Sequence, residues 1–92
     1  MKTIKRRDKL KLYGDLLAVL SEEANAEKIV LTRIQVKINV NFDRLMTYIS
    51  ELCELGLIED KTSLKITEKG KQYLLEYEYM LDFMDRMGLT YQ

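Results

Sequence analysis

The sequence predicts a mainly α, α+β fold, in which three helices are followed by a two-stranded β-hairpin and by a long fourth helix. Three observations lead to this prediction. Apolar residues recur at helical spacing in four stretches of the chain. A polar sequence, Asn39-Val40-Asn41, separates the second stretch from the third, and two short apolar runs flank residues 60–62 before the fourth. The chain has 92 residues, which is the length of one compact domain.

The first helix is predicted over residues 8–23. Its apolar residues form a wide face at helical spacing, and Asp8 is placed to cap its N-terminus. Gly14 lies within this helix, and its missing side chain would allow another helix to approach closely. A polar connection then leads to the second helix.

The second helix is short, over residues 32–38, with Ile34 and Ile38 one turn apart and facing inward. The sequence Asn39-Val40-Asn41 is predicted to form a tight polar turn around one apolar residue. The side-chain oxygen of Asn41 can accept a hydrogen bond from the first-turn amides of the next helix. Asn41 is therefore predicted to cap the third helix.

The third helix is predicted over residues 42–55 and is strongly amphipathic. Four residues at 3-4-3 spacing are predicted to face the core, namely Phe42, Leu45, Ile49 and Leu52. Gly56 follows at the position where a left-handed C-cap belongs. Cys53, on the same helix, is predicted to be a small buried residue.

Residues 57–60 and 63–66 are predicted to be the two short strands of a hairpin, and Thr67 is predicted to cap a last helix that reaches about Met87. Such a helix is about 30 Å long. Its apolar residues follow the spacing of a coiled-coil seam, which predicts a homodimer, although a helix that packs only on its own domain would look the same. The predicted dimer-interface residues are Tyr73, Leu74, Tyr77, Met80, Leu81, Met84 and Met87.

The composition excludes several classes of protein. The residues are 47% hydrophobic and 33% charged, as expected for a globular protein, and histidine is absent. A single cysteine permits no intrachain disulfide and no Cys/His zinc cluster. Without histidine, a Gly-rich phosphate loop or a nucleophile near a base, we expect no enzymatic activity, no metal and no cofactor. The longest apolar runs are too short to cross a bilayer, so we expect a cytoplasmic protein.

The charges are unevenly distributed along the chain. Fifteen basic and fifteen acidic residues give a net charge of zero. However, residues 1–11 carry six basic side chains and only one acidic one, whereas acidic residues outnumber basic ones from residue 68 onward. The basic segment fits either an arm that attracts nucleic acid or a solvated tail.

The order of helix, helix, tight turn, helix, hairpin and helix is the layout of a winged helix-turn-helix domain. In this fold the third helix, here 42–55, enters the major groove of DNA. The hairpin, here 57–66 and called the wing below, lies near the DNA backbone. The chain is then one domain over residues 1–92, with a basic arm over 1–7, a winged-helix core over 8–66, a dimerisation helix over 67–88 and a tail over 89–92.

Several short sequences also resemble one family. They are Thr32-Arg33-Ile34, Asn39-Val40-Asn41-Phe42, Tyr48-Ile49, Leu55-Gly56-Leu57-Ile58 and Ile66-Thr67-Glu68-Lys69-Gly70. Together they resemble the small archaeal winged-helix proteins of the 10a type, which bind DNA. The resemblance implies that the last helix pairs with its counterpart as an antiparallel coiled coil, giving a dimer with two outward DNA-binding heads. Members of that family are clearly basic, whereas this chain is neutral.

The predicted partners are therefore double-stranded DNA and a second copy of the chain, with no small-molecule ligand. On the third helix, the side chains outside the core face are available to a groove, and the start of the second helix favours a phosphate. The predicted DNA-binding residues are Arg6, Arg7, Lys9, Thr32, Arg33, Asn41, Arg44, Thr47, Ser50, Lys61 and Lys65.

The alternative is a winged-helix module that binds another protein and not DNA. Asp43, Glu51 and Glu54 lie on the outward side of the third helix, and Asp60 lies near the wing tip. Each of these acids would repel a phosphate that it faced. The fold alone does not decide between the two functions.

Overall fold

The computed structural model describes residues 3–4, 9–24 and 29–91. In chain order the elements are β1 (Thr3–Ile4), α1 (Lys9–Glu23), α2 (Leu31–Ile38), α3 (Phe42–Glu54), α4 (Glu68–Met87) and β2 (Thr90–Tyr91). The four predicted helices are confirmed, each with its bounds within one or two residues of those expected. The cap predicted at Asp8 lies outside the described residues.

The helix ends follow the local signals in the sequence. The side chain of Asn41 accepts a hydrogen bond of 2.8 Å from the third amide of α3, and Thr67 accepts one of 3.0 Å from the third amide of α4. Gly56 and Gly88 follow α3 and α4 with φ angles of 77° and 79°, in the left-handed region that glycine adopts without strain. The predicted caps at Asn41, Thr67 and Gly56 are confirmed.

The core lies where α1, α2 and α3 meet residues 57–64. Each helix contributes its inward apolar line because a period of 3.6 residues brings positions three and four apart onto one face. The buried core residues are Leu16, Leu17, Leu20, Ile34, Ile38, Leu45, Ile49, Leu52, Leu57, Ile58 and Leu64. Every helix in the described residues is too short or too polar to span a lipid bilayer.

Phe42 corrects the predicted core face of α3. Its side chain is 47% exposed, whereas Leu45, Ile49 and Leu52 are fully buried. Phe42 is the first residue of α3, and side chains on a helix lean toward its N-terminus. The ring therefore extends beyond the end of the core and contributes an exposed apolar surface beside the turn between α2 and α3.

The contact between α1 and α4 depends on Gly14. A Cβ atom at this position would overlap the ring of Tyr77, which is buried on α4. The hydroxyl of Tyr77 donates to a carboxylate oxygen of Asp15 at 3.3 Å, and that of Tyr73 donates to the carbonyl of Leu10 at 2.7 Å. The close approach expected at Gly14 is thus confirmed, and α4 is the helix that makes it.

The predicted two-stranded wing is not confirmed. Within residues 57–66 the strand pairing consists of one antiparallel bridge, Ile58 to Ile66. Hydrogen bonds on either side of this bridge run from Glu59 N to Lys65 O at 2.8 Å and from Thr67 N to Leu57 O at 3.1 Å. These two hydrogen bonds form the bridge, and the wing is therefore a turn whose two sides are joined by two backbone hydrogen bonds.

The side chains of the wing explain its short pairing. Leu57 and Ile58 are both buried, which breaks the in-and-out alternation of a strand. At the tip, the carboxylate of Asp60 accepts from the backbone amides two and three residues later, at 2.8 and 2.7 Å. Leu64 is buried with a φ angle of 57°, so it leaves the extended conformation to reach the core. Residues 60–64 therefore form the turn and do not extend the strand pairing.

The two ends of the chain meet in a parallel pair of short strands. Thr3 pairs with Thr90, and Ile4 pairs with Tyr91. Nothing in the sequence predicts this pairing, because two residues are too few for an alternating pattern. The segments expected to be an arm and a tail are joined here through their backbones.

Substitution of Gly14 by alanine tests the contact between α1 and α4. We expect Gly14→Ala to destabilise the protein by about 1–3 kcal/mol, because overpacking outweighs the higher helix propensity of alanine, about 1 kcal/mol. Urea unfolding measures the free energy. Glu78→Ala, at an exposed position of α4, should change it by no more than about 0.5 kcal/mol.

A double-mutant cycle identifies the partner. In a Tyr77→Leu background the alanine at position 14 meets a smaller side chain. Gly14→Ala should therefore lower the free energy of unfolding by less than it does in the parent protein. An equal cost in both backgrounds would show that Tyr77 is not the residue that Gly14 accommodates.

Candidate nucleic-acid interface

The N-terminal half of α3 presents the side chains predicted to meet a DNA groove. Asn41, Arg44 and Thr47 are exposed, and Ser50 is half-buried. The guanidinium of Arg44 forms no ion pair within the described residues, and Thr47 donates its hydroxyl hydrogen bond to the carbonyl of Asp43 at 3.0 Å. The Asn41 oxygen is used by the cap, which leaves its amide nitrogen as the outward donor. Arg44 is therefore the cation that α3 offers.

Lys9, the first residue of α1, is held by an acid on α3. Its ammonium lies 2.8 Å from both carboxylate oxygens of Glu51 on α3, and 6.0 Å from the centre of the Tyr13 ring. The Tyr13 hydroxyl also donates to Glu51. The hydrogen bonds from Lys9 and Tyr13 hold the pKa of Glu51 below its ordinary value. This cluster joins α1 to α3, and it neutralises one of the acids expected to repel phosphate.

Arg33 belongs to a second charged cluster, which joins α1 to α2. The carboxylate of Glu23, only 5% exposed, accepts from Lys37 at 3.1 Å and from the Nη1 of Arg33 at 3.0 Å. Lys37 also reaches Glu22 at 3.4 Å. The hydrogen bonds from Lys37 and then Arg33 lower the pKa of Glu23, so this acid is charged at neutral pH.

Glu23 and Lys37 were missed by sequence reasoning. A signal was present, because Arg33 and Lys37 are four residues apart on α2 and therefore share one face. Two adjacent acids end α1. The pairing could have been predicted only with the crossing of the two helices known. Arg33 remains 53% exposed, so one edge of its guanidinium is held while the other faces solvent.

The first turn of α2 lies beside this cluster. Thr32 is exposed there, and Val30, the residue before the helix, makes no side-chain cap. Amides at an uncapped helix start favour an anion. The same side of α2 also exposes an apolar residue, Val36, which is 78% accessible.

Lys61 and Lys65 are exposed on the wing, and neither forms an ion pair within the described part of the chain. Asp60, between α3 and these lysines in sequence, accepts hydrogen bonds from the backbone amides of Ser63 and Thr62, which lower its pKa. Its charge is thus partly satisfied by the turn that it forms. Asp43 and Glu54 remain as exposed acids on α3.

The predicted interface residues are therefore only partly brought together. Arg44, Thr47, Thr32, Lys61 and Lys65 are accessible, whereas Lys9 and Arg33 have partners within the chain. Arg6 and Arg7 lie outside the described residues. No group of three or more potential metal-ligating side chains occurs in residues 9–24 and 29–89. Cys53 is half-buried and packs against the core, so it is less buried than predicted.

The residues predicted to form the dimer seam divide between the inside and the outside of one chain. Tyr77 and Met84 are buried, Tyr73, Leu74 and Met80 are half-buried, and Leu81 and Met87 are exposed. A second apolar line, not predicted, is exposed on α4 at i, i+4 and i+8, formed by Leu75, Tyr79 and Phe83.

The comparisons with known proteins define the class of this chain. A family model described as winged helix-turn-helix matches residues 6–85, and the chain belongs to that family. Winged helix-turn-helix domains in general bind DNA. No curated protein matches the chain, and no solved structure matches it. The narrower resemblance to the archaeal 10a-type proteins stays a prediction.

The pH dependence of stability tests the cluster around Glu23. The folded-state pKa of Glu23 is lowered, so its contribution is complete above its unfolded pKa, about 4.3, and is lost as the pH falls through the folded value. We expect Glu23→Gln to lower the urea midpoint at pH 7. The difference from the parent protein should shrink as both are acidified below about pH 4.

Glu54→Gln is the matched control, because Glu54 is exposed on α3 and forms no ion pair within the described residues. Its urea midpoint should follow that of the parent protein at every pH. A Glu23→Gln difference that is the same at pH 7 and pH 3 would contradict the proposed charge pairing.

Proposed function

We propose that this protein binds double-stranded DNA through α3, with Arg44 as its central contact. The observation that carries the proposal is an exposed arginine without an ion-pair partner in the described residues, on the helix that winged helix-turn-helix proteins place in the major groove. A guanidinium at this position can bind guanine in a bidentate manner or a phosphate through charge-assisted hydrogen bonds. Thr47, one turn further along α3, can accept a hydrogen bond from a base with its hydroxyl oxygen, and it can donate to a phosphate only by giving up its bond to the carbonyl of Asp43.

Phosphate contacts come from the elements on either side of α3. The open start of α2, with Thr32, and the lysines of the wing, Lys61 and Lys65, provide them. Arg33 contributes through the guanidinium edge that Glu23 leaves free. Lys9 contributes only if it leaves Glu51, so we assign it a smaller share.

This small set of free cations limits the electrostatic part of the affinity. With about four phosphates neutralised, the slope of log K against log salt would be about −3.6. The exposed carboxylates of Asp43 and Glu54 lower the affinity for DNA further, because they repel phosphates. We infer moderate affinity that is steeply weakened by salt, in a transcription regulator or chromatin-type protein without enzymatic activity.

We further propose that two copies associate through α4. The line of Leu75, Tyr79 and Phe83 is exposed on a 20-residue helix whose opposite side already packs on α1. Contiguous exposed apolar surface of this kind is a feature of interaction sites. The antiparallel arrangement is taken from the resemblance to the 10a-type proteins. The interface would then extend this line to Met87 of the predicted seam, four residues beyond Phe83. Leu81, four residues beyond Tyr77, lies on the side of α4 that packs on α1.

A second candidate function is the binding of another protein through the helix-turn-helix face. Two large apolar side chains, Val36 and Phe42, are exposed on α2 and at the start of α3. Apolar side chains in this region can contact thymine methyl groups, but they equally suit a protein surface. The DNA measurements below separate the two functions.

DNA binding is tested by fluorescence anisotropy of a labelled duplex, titrated at low salt and at about 0.2 M salt. We expect Arg44→Ala to weaken binding about tenfold, the equivalent of one charge-assisted hydrogen bond of about 1.5 kcal/mol. Arg86→Ala removes the same charge from α4, where Arg86 pairs with Asp82, and should leave the affinity nearly unchanged.

Equal losses in the two variants would mean that only net charge matters and that α3 is not the contact surface. No binding of the parent protein at low salt would exclude the DNA-binding function and favour the protein-binding one.

Dimerisation is tested by sedimentation equilibrium at micromolar concentration. We expect a species of twice the chain mass, and we expect Phe83→Glu to convert it to the monomer by placing a charge in an apolar contact. Glu78→Gln, also exposed on α4, should remain dimeric. A parent protein that sediments only at the mass of one chain would exclude this interface.

A further inference from the structure

A cleft opens on the side of the core between α1, α4 and the wing. Its volume is about 440 Å³, within the range of pockets that bind small organic molecules. Its wall is formed by Leu20 from α1, Ile29 before α2, Leu64 from the wing and Leu74 from α4. Elements that are distant in sequence thus converge on one site.

The apolar part of this wall is continuous with the core. Leu20 and Leu64 are buried, and Ile29, Ile66 and Leu74 are half-buried against the same cluster. An apolar group that enters the cleft would therefore move from water onto a surface of apolar side chains that are themselves shielded from water. The apolar wall accounts for binding but not for selectivity.

The charged side chains that the described residues place around the cleft are all positive. Lys65 and Lys71 are the only charged residues that line it within the described part of the chain, in a protein that has as many acids as bases. Ser21 adds a hydroxyl group that can donate a hydrogen bond, whereas the hydroxyl of Ser63 donates to the carboxylate of Asp60 at 3.2 Å. Lys65 forms no ion pair among the described residues, and Lys71 reaches only Glu68, at 3.4 Å on the surface. The wall thus attracts an anion and offers it donors.

We propose that this cleft binds a small organic carboxylate, with its apolar body against Leu20, Leu64 and Leu74 and its carboxylate toward Lys65 and Lys71. The site differs from the proposed DNA interface, which is centred on Arg44 of α3, although Lys65 of the wing belongs to both. A free inorganic anion would not use the apolar wall, and a neutral apolar molecule would not use the two lysines. The combination selects an amphiphilic anion.

The experiment titrates the full chain with sodium octanoate and, separately, with 1-octanol, and follows amide resonances by NMR in the absence of DNA. We expect octanoate to shift the resonances of Ser21, Ile29 and residues 63–66 and to saturate at one molecule per chain. Octanol, which lacks the charge, should bind about tenfold more weakly, the loss of one charge-assisted contact.

Variants assign the site. The double variant Lys65→Gln, Lys71→Gln should weaken octanoate about tenfold and leave octanol unchanged. The control, Lys61→Gln with Arg86→Gln, removes the same net charge from exposed positions outside the cleft and should bind octanoate like the parent protein. Ser21→Phe fills the cleft from an exposed position and should weaken both ligands.

Two results would overturn the proposal. One is an octanoate affinity that is the same in the Lys65/Lys71 double variant as in the parent protein. The other is a set of shifts confined to Leu75, Tyr79 and Phe83, which would place octanoate on the exposed line of α4. Because no DNA is present, neither result depends on the proposed DNA-binding function.

Discussion

The position of α1 against α4, set by the missing side chain of Gly14, is the constraint on which the other contacts depend. The ring of Tyr77 occupies the space where a Cβ would lie, which holds α1 on the first half of α4. From this position α1 reaches α3 through Lys9 and Glu51, and it reaches α2 through Glu23. Both helices of the helix-turn-helix unit thus make charged contacts with one helix, beside the apolar core in which all three helices pack. Movement of α1 would displace α2 and α3 together.

These charged contacts also explain why the net charge is a poor guide to the surface of this protein. The acids that make the chain neutral are not evenly spread over solvent. Glu23 and Glu51 are paired with Arg33, Lys37 and Lys9 in the joints between helices. The cations and acids outside those joints together set the potential that a ligand meets. Because the joints hold three cations and two acids, a positive surface on this neutral chain depends on where the remaining charges lie, and it has fewer cations than the total suggests.

The sequence was sufficient for features that depend on neighbouring residues, and insufficient for those that depend on how helices cross. Asn41, Thr67 and Gly56 act within one turn of the chain, and each was predicted correctly. The buried face of α3 was also predicted, except at Phe42, where the helix extends past the core. The partners of Glu23 lie on another helix, and the reduced pairing of the wing depends on Leu64 turning into the core. Periodicity carries no information about either.

The apolar pattern of α4 shows the same limit, because apolar residues lie on two opposite sides of this helix. Tyr73 and Tyr77 pack beside α1, with ring centres 6.4 Å apart, and are four residues apart on one side of the helix. Leu75 and Tyr79 have the same spacing but are offset by two residues, which rotates them by about 200° to the opposite side. The predicted heptad seam contains Tyr73 and Tyr77 but omits Leu75 and Tyr79, so it follows the side that packs within the chain and misses the exposed one. A helix with two apolar sides can contact two partners, and the described part of the chain covers only one of these sides.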